Sequence, residues 1–90
     1  MSGCSRTLQI VNRRGLHARA SAKFVNMASE LPTRVEVEKD GNRVCGTSIM
    51  GLMMLGAAMG DTIVIHCDGD DCAESIEQLA DLVESRFGED

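Results

Sequence analysis

The side chains that could do chemistry gather around one histidine near the start of the chain. His17 lies within residues 12–29, a stretch without a single acidic residue in a chain of net charge -5. The cationic residues of this stretch are Arg13, Arg14, Arg19 and Lys23. A neutral imidazole is a suitable nucleophile near neutral pH, and positive charge around it stabilises an anionic group. The pattern therefore indicates an anion site beside a potential nucleophile.

The local sequence places His17 at the start of a predicted helix. Gly15 marks a turn, and no Ser, Thr, Asp or Asn directly precedes Ala18, so the imidazole occupies the N-cap position. The amides of the first helical turn are then left for another acceptor, and a helix N-terminus favours anions. Phosphoryl transfer needs mainly a placed nucleophile and surrounding positive charge. A histidine at a helix start is often only a tolerated polar residue, so these features alone indicate an anion site without fixing a reaction.

The elements that must position His17 follow from hydrophobic periodicity and turn residues. Strands are predicted over residues 7–11, 34–38, 42–46 and 62–67, and helices over residues 18–29, 48–55 and 72–86. The Asp40-Gly41 pair between the second and third strands is typical of a two-residue hairpin turn. An antiparallel sheet with helices packed on one face satisfies the order β-α-β-β-α-β-α.

Length and composition limit the class of protein. Ninety residues predict one domain, residues 1–90, with an aliphatic core because aromatic residues make up only 2%. No apolar run approaches the roughly 20 residues that span a bilayer. Residues 1–6 lack the apolar stretch of a secretory signal, so we expect a cytoplasmic location and no membrane insertion. The acidic balance argues against nucleic-acid binding, which requires a basic face.

The four cysteines raise the question of a disulfide or a zinc site. No pair of Cys4, Cys45, Cys67 and Cys72 has the C-x-x-C spacing that brings two thiolates to one metal. Because cytosolic thiols stay reduced, we expect free structural cysteines and no metal. His66, in the last predicted strand, is expected to face solvent or to be satisfied by a neighbour.

Two segments of the chain resemble a known family. The segment GLHAR, residues 15–19, followed by Ala22 and the Phe24-Val25 pair, is similar to the active-site signature of the HPr family. These are the histidine phosphocarrier proteins of the phosphoenolpyruvate-dependent phosphotransferase system. The segment TSIMGLMMLG, residues 47–56, resembles the regulatory-serine motif of the same family. Element order and length agree as well, so the resemblance covers nearly the whole chain.

The resemblance implies a fold and a reaction. The implied fold is α+β, an open-faced β-sandwich of a four-stranded antiparallel sheet with three helices on one face. Nδ1 of His17 would accept a phosphoryl group from phosphorylated enzyme I and pass it to enzyme IIA-type acceptors, with Ala18 and Arg19 binding that group. The protein would be a monomeric carrier without a cofactor. The family usually has proline directly after the arginine, and Ala20 in its place would leave the first helical turn less rigid.

The predicted helix at residues 48–55 has more apolar residues than one buried face can hold. Leu52 and Leu55 are spaced as a buried stripe, which leaves Ile49, Met50, Met53 and Met54. The helix is either buried all round or exposes a methionine-rich patch, and flexible thioethers suit a surface that accepts several partners. The resemblance favours the patch, and we expect these four residues and Ala20 to contact partners.

Two further expectations concern regulation and function class. Ser48 alone indicates an ordinary N-cap, but the resemblance implies phosphorylation by an HPr kinase/phosphorylase that slows transfer from enzyme I.

The chemistry at His17 does not separate a sugar-uptake role from a nitrogen-related regulatory role. As an alternative, a β-α-β-β-α-β core also serves non-catalytic modules that bind small ligands or metals. Such a module would need C-x-x-C or a ligand cluster in the first loop, where this chain has arginines.

Overall fold

Residues 3–89 are described by a computed structural model, and they form one antiparallel sheet covered by helices. The strands are β1 (Gly3–Gln9), β2 (Arg34–Lys39), β3 (Asn42–Cys45) and β4 (Thr62–Asp68), in the spatial order β1-β4-β2-β3. The helices are α1 (Ala18–Glu30), α2 (Ile49–Met54) and α3 (Cys72–Glu84), followed by a short 3-10 turn at Arg86–Gly88. The predicted α+β open-faced sandwich is confirmed. The predicted domain, residues 1–90, also includes Met1, Ser2 and Asp90, which lie outside the described residues.

Alternation along the strands explains why the helices cover one face of the sheet. In β4, Ile63, Ile65 and Cys67 are buried, whereas the residues between them are partly or fully exposed. Val37 of β2 lies opposite Ile65 in the register and is also fully buried. Because side chains in a strand point alternately to opposite faces, these positions build one apolar face against the helices. The β-branched run of β4 is the inner strand that the sequence predicts.

The bounds of β1 and α3 differ from the predictions by two or more residues at one or both ends. β1 begins at Gly3, because backbone pairing with β4 extends to Asp68 although the first residues of the strand carry no apolar pattern. α3 ends at Glu84, two residues early, because the chain turns sharply just after it.

The turn between β2 and β3 matches the prediction in detail. Asp40 and Gly41 have φ angles of 53° and 85°, and Lys39 pairs with Asn42 across them. Positive φ at both central residues is the mark of a type I′ hairpin, whose twist suits antiparallel strands.

The prediction that all cysteines are reduced is wrong for Cys4 and Cys72, which form a disulfide with their Cα atoms 5.8 Å apart. Cys4 lies opposite Cys67 in the β1–β4 register, and α3 begins four residues after β4 ends, above the same end of the sheet. This proximity is a product of topology, so spacing along the chain does not reveal it. Cys67 is a free, buried thiol as predicted, whereas Cys45 is free and exposed.

No helix within residues 3–89 is long and apolar enough to cross a membrane.

Candidate functional site

His17 is the N-cap residue of α1, as the sequence predicts. Its backbone is extended, with φ -74° and ψ -179°, and its carbonyl accepts a hydrogen bond from the amide of Ser21 at 2.9 Å. Nδ1 of the ring accepts a hydrogen bond from the backbone N–H of Arg19 at 3.3 Å. The imidazole therefore satisfies one of the first-turn amides that the sequence left open. At 3.3 Å this bond is longer than usual, so another acceptor can displace it at low cost.

The loop before His17 is fixed by hydrogen bonds around Gly15. The amide of Gly15 donates to the carbonyl of Asn12 at 3.2 Å, and the amide of Leu16 donates to the carbonyl of Ala57 at 2.9 Å. Gly15 has φ +66°, and a Cβ atom there would lie 2.3 Å from the carbonyl oxygen of Ala57. Only glycine fits this close approach. The loop that delivers His17 is thereby held against the segment that follows α2.

The second ring nitrogen of His17 contacts a carboxylate from the other end of the chain. Nε2 lies 2.5 Å from Oε2 of Glu89, and Oε1 of Glu89 accepts a hydrogen bond from Nδ2 of Asn12 at 3.0 Å. Partial desolvation raises the pKa of Glu89, but hydrogen bonds from Asn12 and His17 and the positive charge of Lys23 lower it below its ordinary value. Sequence reasoning missed Glu89, because it is 72 residues away and looks like one of many acids near the C-terminus.

The cationic residues of the predicted anion site line one cleft beside His17. The cleft has a volume of about 440 Å³, and Glu89 and Gly88 complete its lining. The cationic members are Arg13, Arg14, Arg19 and Lys23. Lys23 donates a hydrogen bond to the carbonyl of Phe87 at 2.6 Å. This bond holds residues 86–89, here called the C-terminal segment, in place. The three arginines are exposed and leave the cleft open to an anion.

α2 and the segment after it expose a patch of apolar side chains, and Met59 of this patch lines a small surface pocket together with Arg13 of the cleft. The patch, here called the methionine surface, consists of Ile49, Met50, Met53, Met54 and Met59, with exposed fractions of 40%, 68%, 41%, 79% and 60%. Leu52 is fully buried and anchors the helix, which also packs against α1. A helix buried all round is therefore ruled out. Met59 lies beyond the helix, where the periodicity that pointed to α2 no longer applies.

The structure contradicts the prediction that Ala20 lies at a partner interface. Its exposed fraction is 0%, because it lies one turn before Phe24 on the face of α1 that packs into the core. Ala18 and Arg19 are the exposed residues of the first turn. Alanine in place of proline thus alters the core side of α1, not the surface that a partner meets.

Ser48 and His66 occupy the local settings that the sequence predicts. Ser48 is the N-cap of α2, and its Oγ accepts a hydrogen bond from the amide of Gly51 at 3.0 Å. The ring of His66 is hydrogen-bonded to Glu38, whose Oε1 lies 2.8 Å from Nε2.

Within residues 3–89 no group of three or more His, Cys, Asp or Glu side chains is arranged to hold a metal ion.

Comparison with known proteins finds similar chains in one family. Residues 4–85 match the family described as "PTS HPr component phosphorylation site". The chain is 51% identical over 83 residues to the phosphocarrier protein HPr of Neisseria meningitidis serogroup A, covering 92% of this chain and 93% of that protein. It is 43% identical over 84 residues to the HPr of Cupriavidus necator, covering 93% and 94%. The crystal structure of HPr-C-His from Thermoanaerobacter tengcongensis superimposes with a TM-score of 0.91 at 45% identity, covering 97% of this chain and 98% of that one.

Proposed function

The chain belongs to the HPr family of phosphocarrier proteins of the phosphotransferase system, and we propose that it carries the phosphoryl group on Nδ1 of His17. The group would come from phosphorylated enzyme I and pass to enzyme IIA-type acceptors. The observation that carries this proposal is the position of Nδ1 at the N-terminus of α1, beside a cleft lined by arginines. The small-ligand or metal-binding alternative is not favoured by the family match.

Nδ1 is suited to accept and release the group. In the transfer, its lone pair forms an N–P bond while the bond between phosphorus and the donor breaks. The oxygens of the new group would then accept hydrogen bonds from the amides of Ala18 and Arg19, with the guanidinium of Arg19 opposite their charge. The weak bond from the Arg19 amide to Nδ1 would be exchanged for a bond to a phosphoryl oxygen. These hydrogen-bond donors would stabilise the phosphoryl group on Nδ1, and the N–P bond would remain reactive enough for transfer to an acceptor.

The surroundings of His17 suit short encounters with several partners. The arginines of the cleft would steer an acidic partner surface, and the methionine surface would pack against its apolar part. Such contacts permit rapid association and rapid release. We expect the protein to act as a cytoplasmic monomer and not as an enzyme in its own right.

The phosphoryl acceptor can be tested directly with the two histidines of the chain. The protein is incubated with phosphoenolpyruvate and enzyme I, and intact mass is measured at neutral pH and after acid treatment. We expect one acid-labile phosphate in the wild type and in His66→Ala, and none in His17→Ala. Phosphate uptake that persists in His17→Ala would refute the assignment. His66→Ala is the matched control, because it removes an imidazole held by a carboxylate elsewhere on the sheet.

We further propose that phosphorylation of Ser48 by an HPr kinase/phosphorylase slows transfer from enzyme I. The hydroxyl that would be modified is the cap of α2, directly before Ile49 and Met50 of the methionine surface. A phosphate adds a charge of about -1.5 to -2 at neutral pH and is tolerated at a helix start. Its charge and hydration would oppose docking of an acidic partner on the adjacent surface.

The neighbouring hydroxyl of Thr47 provides a control for this second site. After incubation with HPr kinase and ATP, we expect an acid-stable phosphate in Thr47→Ala and in the wild type but not in Ser48→Ala. An acid-stable phosphate on Ser48→Ala would contradict the proposed site. An unchanged rate of His17 phosphorylation in the Ser48-phosphorylated protein would contradict the proposed inhibition.

A further inference from the structure

We propose that Glu89 is a positioning residue for His17, because its carboxylate holds the proton on Nε2 and so keeps the ring's lone pair on Nδ1. This inference rests on the proposed role of His17 as the phosphoryl acceptor. It adds a residue from the C-terminal segment to a site that the sequence motif assigns only to residues around His17.

The two contacts of the imidazole select the same tautomer. An ionised carboxylate can only accept a hydrogen bond, so the 2.5 Å contact between Oε2 of Glu89 and Nε2 requires the proton to be on Nε2. The amide of Arg19 can only donate, so its contact with Nδ1 requires the lone pair there. In a neutral imidazole one nitrogen carries the proton and the other the lone pair. The charge-assisted contact with Glu89 is the shorter and the stronger of the two.

The C-terminal segment is built to bring this carboxylate to the ring. Phe87 is buried, with 1% of its surface exposed, and its carbonyl accepts the 2.6 Å hydrogen bond from Lys23. Arg86 and Phe87 have φ angles of 61° and 54°, a left-handed conformation that side chains other than glycine rarely adopt. Such a conformation persists only where the surrounding contacts impose it. Here it turns the chain from the end of α3 toward His17.

Asn12 links the carboxylate to the loop that carries His17. Its exposed fraction is 0%, and its Nδ2 donates both to the carbonyl of Gly15 at 2.8 Å and to Oε1 of Glu89 at 3.0 Å. One amide group thus fixes the loop and the carboxylate together. The orientation of Glu89 is therefore set by a buried partner, and the side chains of Glu89 and His17 are each only 17% exposed.

The contact also fits the charge that develops during transfer. When the lone pair of Nδ1 forms the N–P bond and the donor's bond to phosphorus breaks, the ring gains positive charge because Nε2 keeps its proton. The carboxylate of Glu89 faces that charge and stabilises it. A carboxylate acts in this way on the imidazole of a catalytic triad, by holding tautomer and orientation without taking the proton.

The test compares Glu89→Ala, Glu89→Gln and the control Glu84→Ala, which removes the same charge from an exposed position near the end of α3. The tautomer is measured from the ¹⁵N chemical shifts of the imidazole at a pH where the ring is neutral. The initial rate of phosphorylation by enzyme I and phosphoenolpyruvate is measured on the same samples. Partners that orient a metal-bound histidine typically contribute about 10- to 100-fold to metal affinity or activity, and we take the lower end as the expected scale for His17. We expect Glu89→Ala to lower the rate by about tenfold and to increase the Nδ1–H tautomer, with Glu84→Ala unchanged in both.

Glu89→Gln separates orientation from charge, because its amide oxygen can still accept a hydrogen bond from the N–H of Nε2. We expect it to retain the wild-type tautomer with a rate between those of the wild type and Glu89→Ala. A wild-type tautomer or a wild-type rate in Glu89→Ala would overturn the proposal, as would an equal loss of rate in Glu84→Ala. If wild-type protein took no phosphate on His17, the proposed function would fail, whereas the ¹⁵N shifts would still decide whether Glu89 sets the tautomer.

Discussion

Opening the Cys4–Cys72 disulfide should lower the free energy of unfolding by several kcal/mol. The two cysteines are 68 residues apart, so the bond closes a loop that contains most of the chain. For a loop of this length, the loss of chain entropy in the unfolded state corresponds to about 4.4 kcal/mol at 25 °C. Native disulfides of small domains usually contribute about 2–5 kcal/mol. We expect a loss of about 3 kcal/mol, a large share of the stability of a 90-residue domain.

Urea unfolding followed by far-ultraviolet circular dichroism measures this loss, since the chain has no Trp or Tyr for fluorescence. With a urea dependence of about 1–3 kcal/mol per molar, the midpoint should fall by about 1–3 M on reduction. The double variant Cys4→Ala/Cys72→Ala should unfold near the reduced wild type and should not respond to reductant. The control Cys45→Ser should keep the response, because Cys45 is an exposed free thiol.

Two results would refute this reasoning. One is a midpoint that reductant leaves unchanged in the wild type. The other is a count of four reactive thiols in the unreduced, unfolded protein, since Cys45 and Cys67 are the free cysteines of the described structure. The first result would mean that the bond does not stabilise the fold, and the second that Cys4 and Cys72 are not joined in solution.

Three further outcomes are expected. Met50→Asp should raise the KM for phosphorylation by enzyme I at an unchanged urea midpoint, because Met50 is 68% exposed on the methionine surface; an unchanged KM would exclude Met50 from docking. Iodoacetamide should label Cys45 before Cys67 in the folded protein, since the Thr47 hydroxyl lowers the pKa of Cys45 whereas burial raises the pKa of Cys67; peptide mapping that shows equal labelling would contradict this. The raised folded-state pKa of Cys67 contributes stability that is complete below the ordinary thiol pKa of about 8.5 and is lost as pH rises through the folded pKa. The urea midpoint of the wild type should therefore fall with rising pH in this range, and the fall should be smaller in Cys67→Ala.

The features that could be read from the sequence are those that neighbouring residues determine. Asp40-Gly41 forms its turn because positive φ is a property of those two residues. The β-branched run at the start of β4 forms a strand because such side chains favour extended backbone, and its alternate residues Ile63 and Ile65 are buried. His17 becomes an N-cap because the glycine turn and the helix pattern adjoin it directly. Such signals are local and survive in the folded protein.

The features that the sequence did not reveal depend on contacts between distant segments. Glu89 meets His17 only because Phe87 is buried and turns Gly88 and Glu89 back over α1. The disulfide exists because β1 and β4 are neighbours and α3 begins above their shared end. The motif predicts a partner surface for Ala20, but a place in a motif does not state the direction of a side chain. The direction follows from the helical phase of Phe24, which is fixed by the core.

A backbone hydrogen bond links the His17 loop to the segment that follows α2, and this link bears on which partners can dock. The amide of Leu16 donates to the carbonyl of Ala57, and the missing side chain of Gly15 lets the two segments touch. Because this link consists of backbone atoms, we expect the offset between the His17 loop and the apolar residues around α2 to change little when different partners bind. The thioethers of the surface can adjust to different apolar shapes, whereas the position of the ring cannot. We infer that a donor and an acceptor can differ in their apolar contact residues, but each must present its reacting group at the same offset from them.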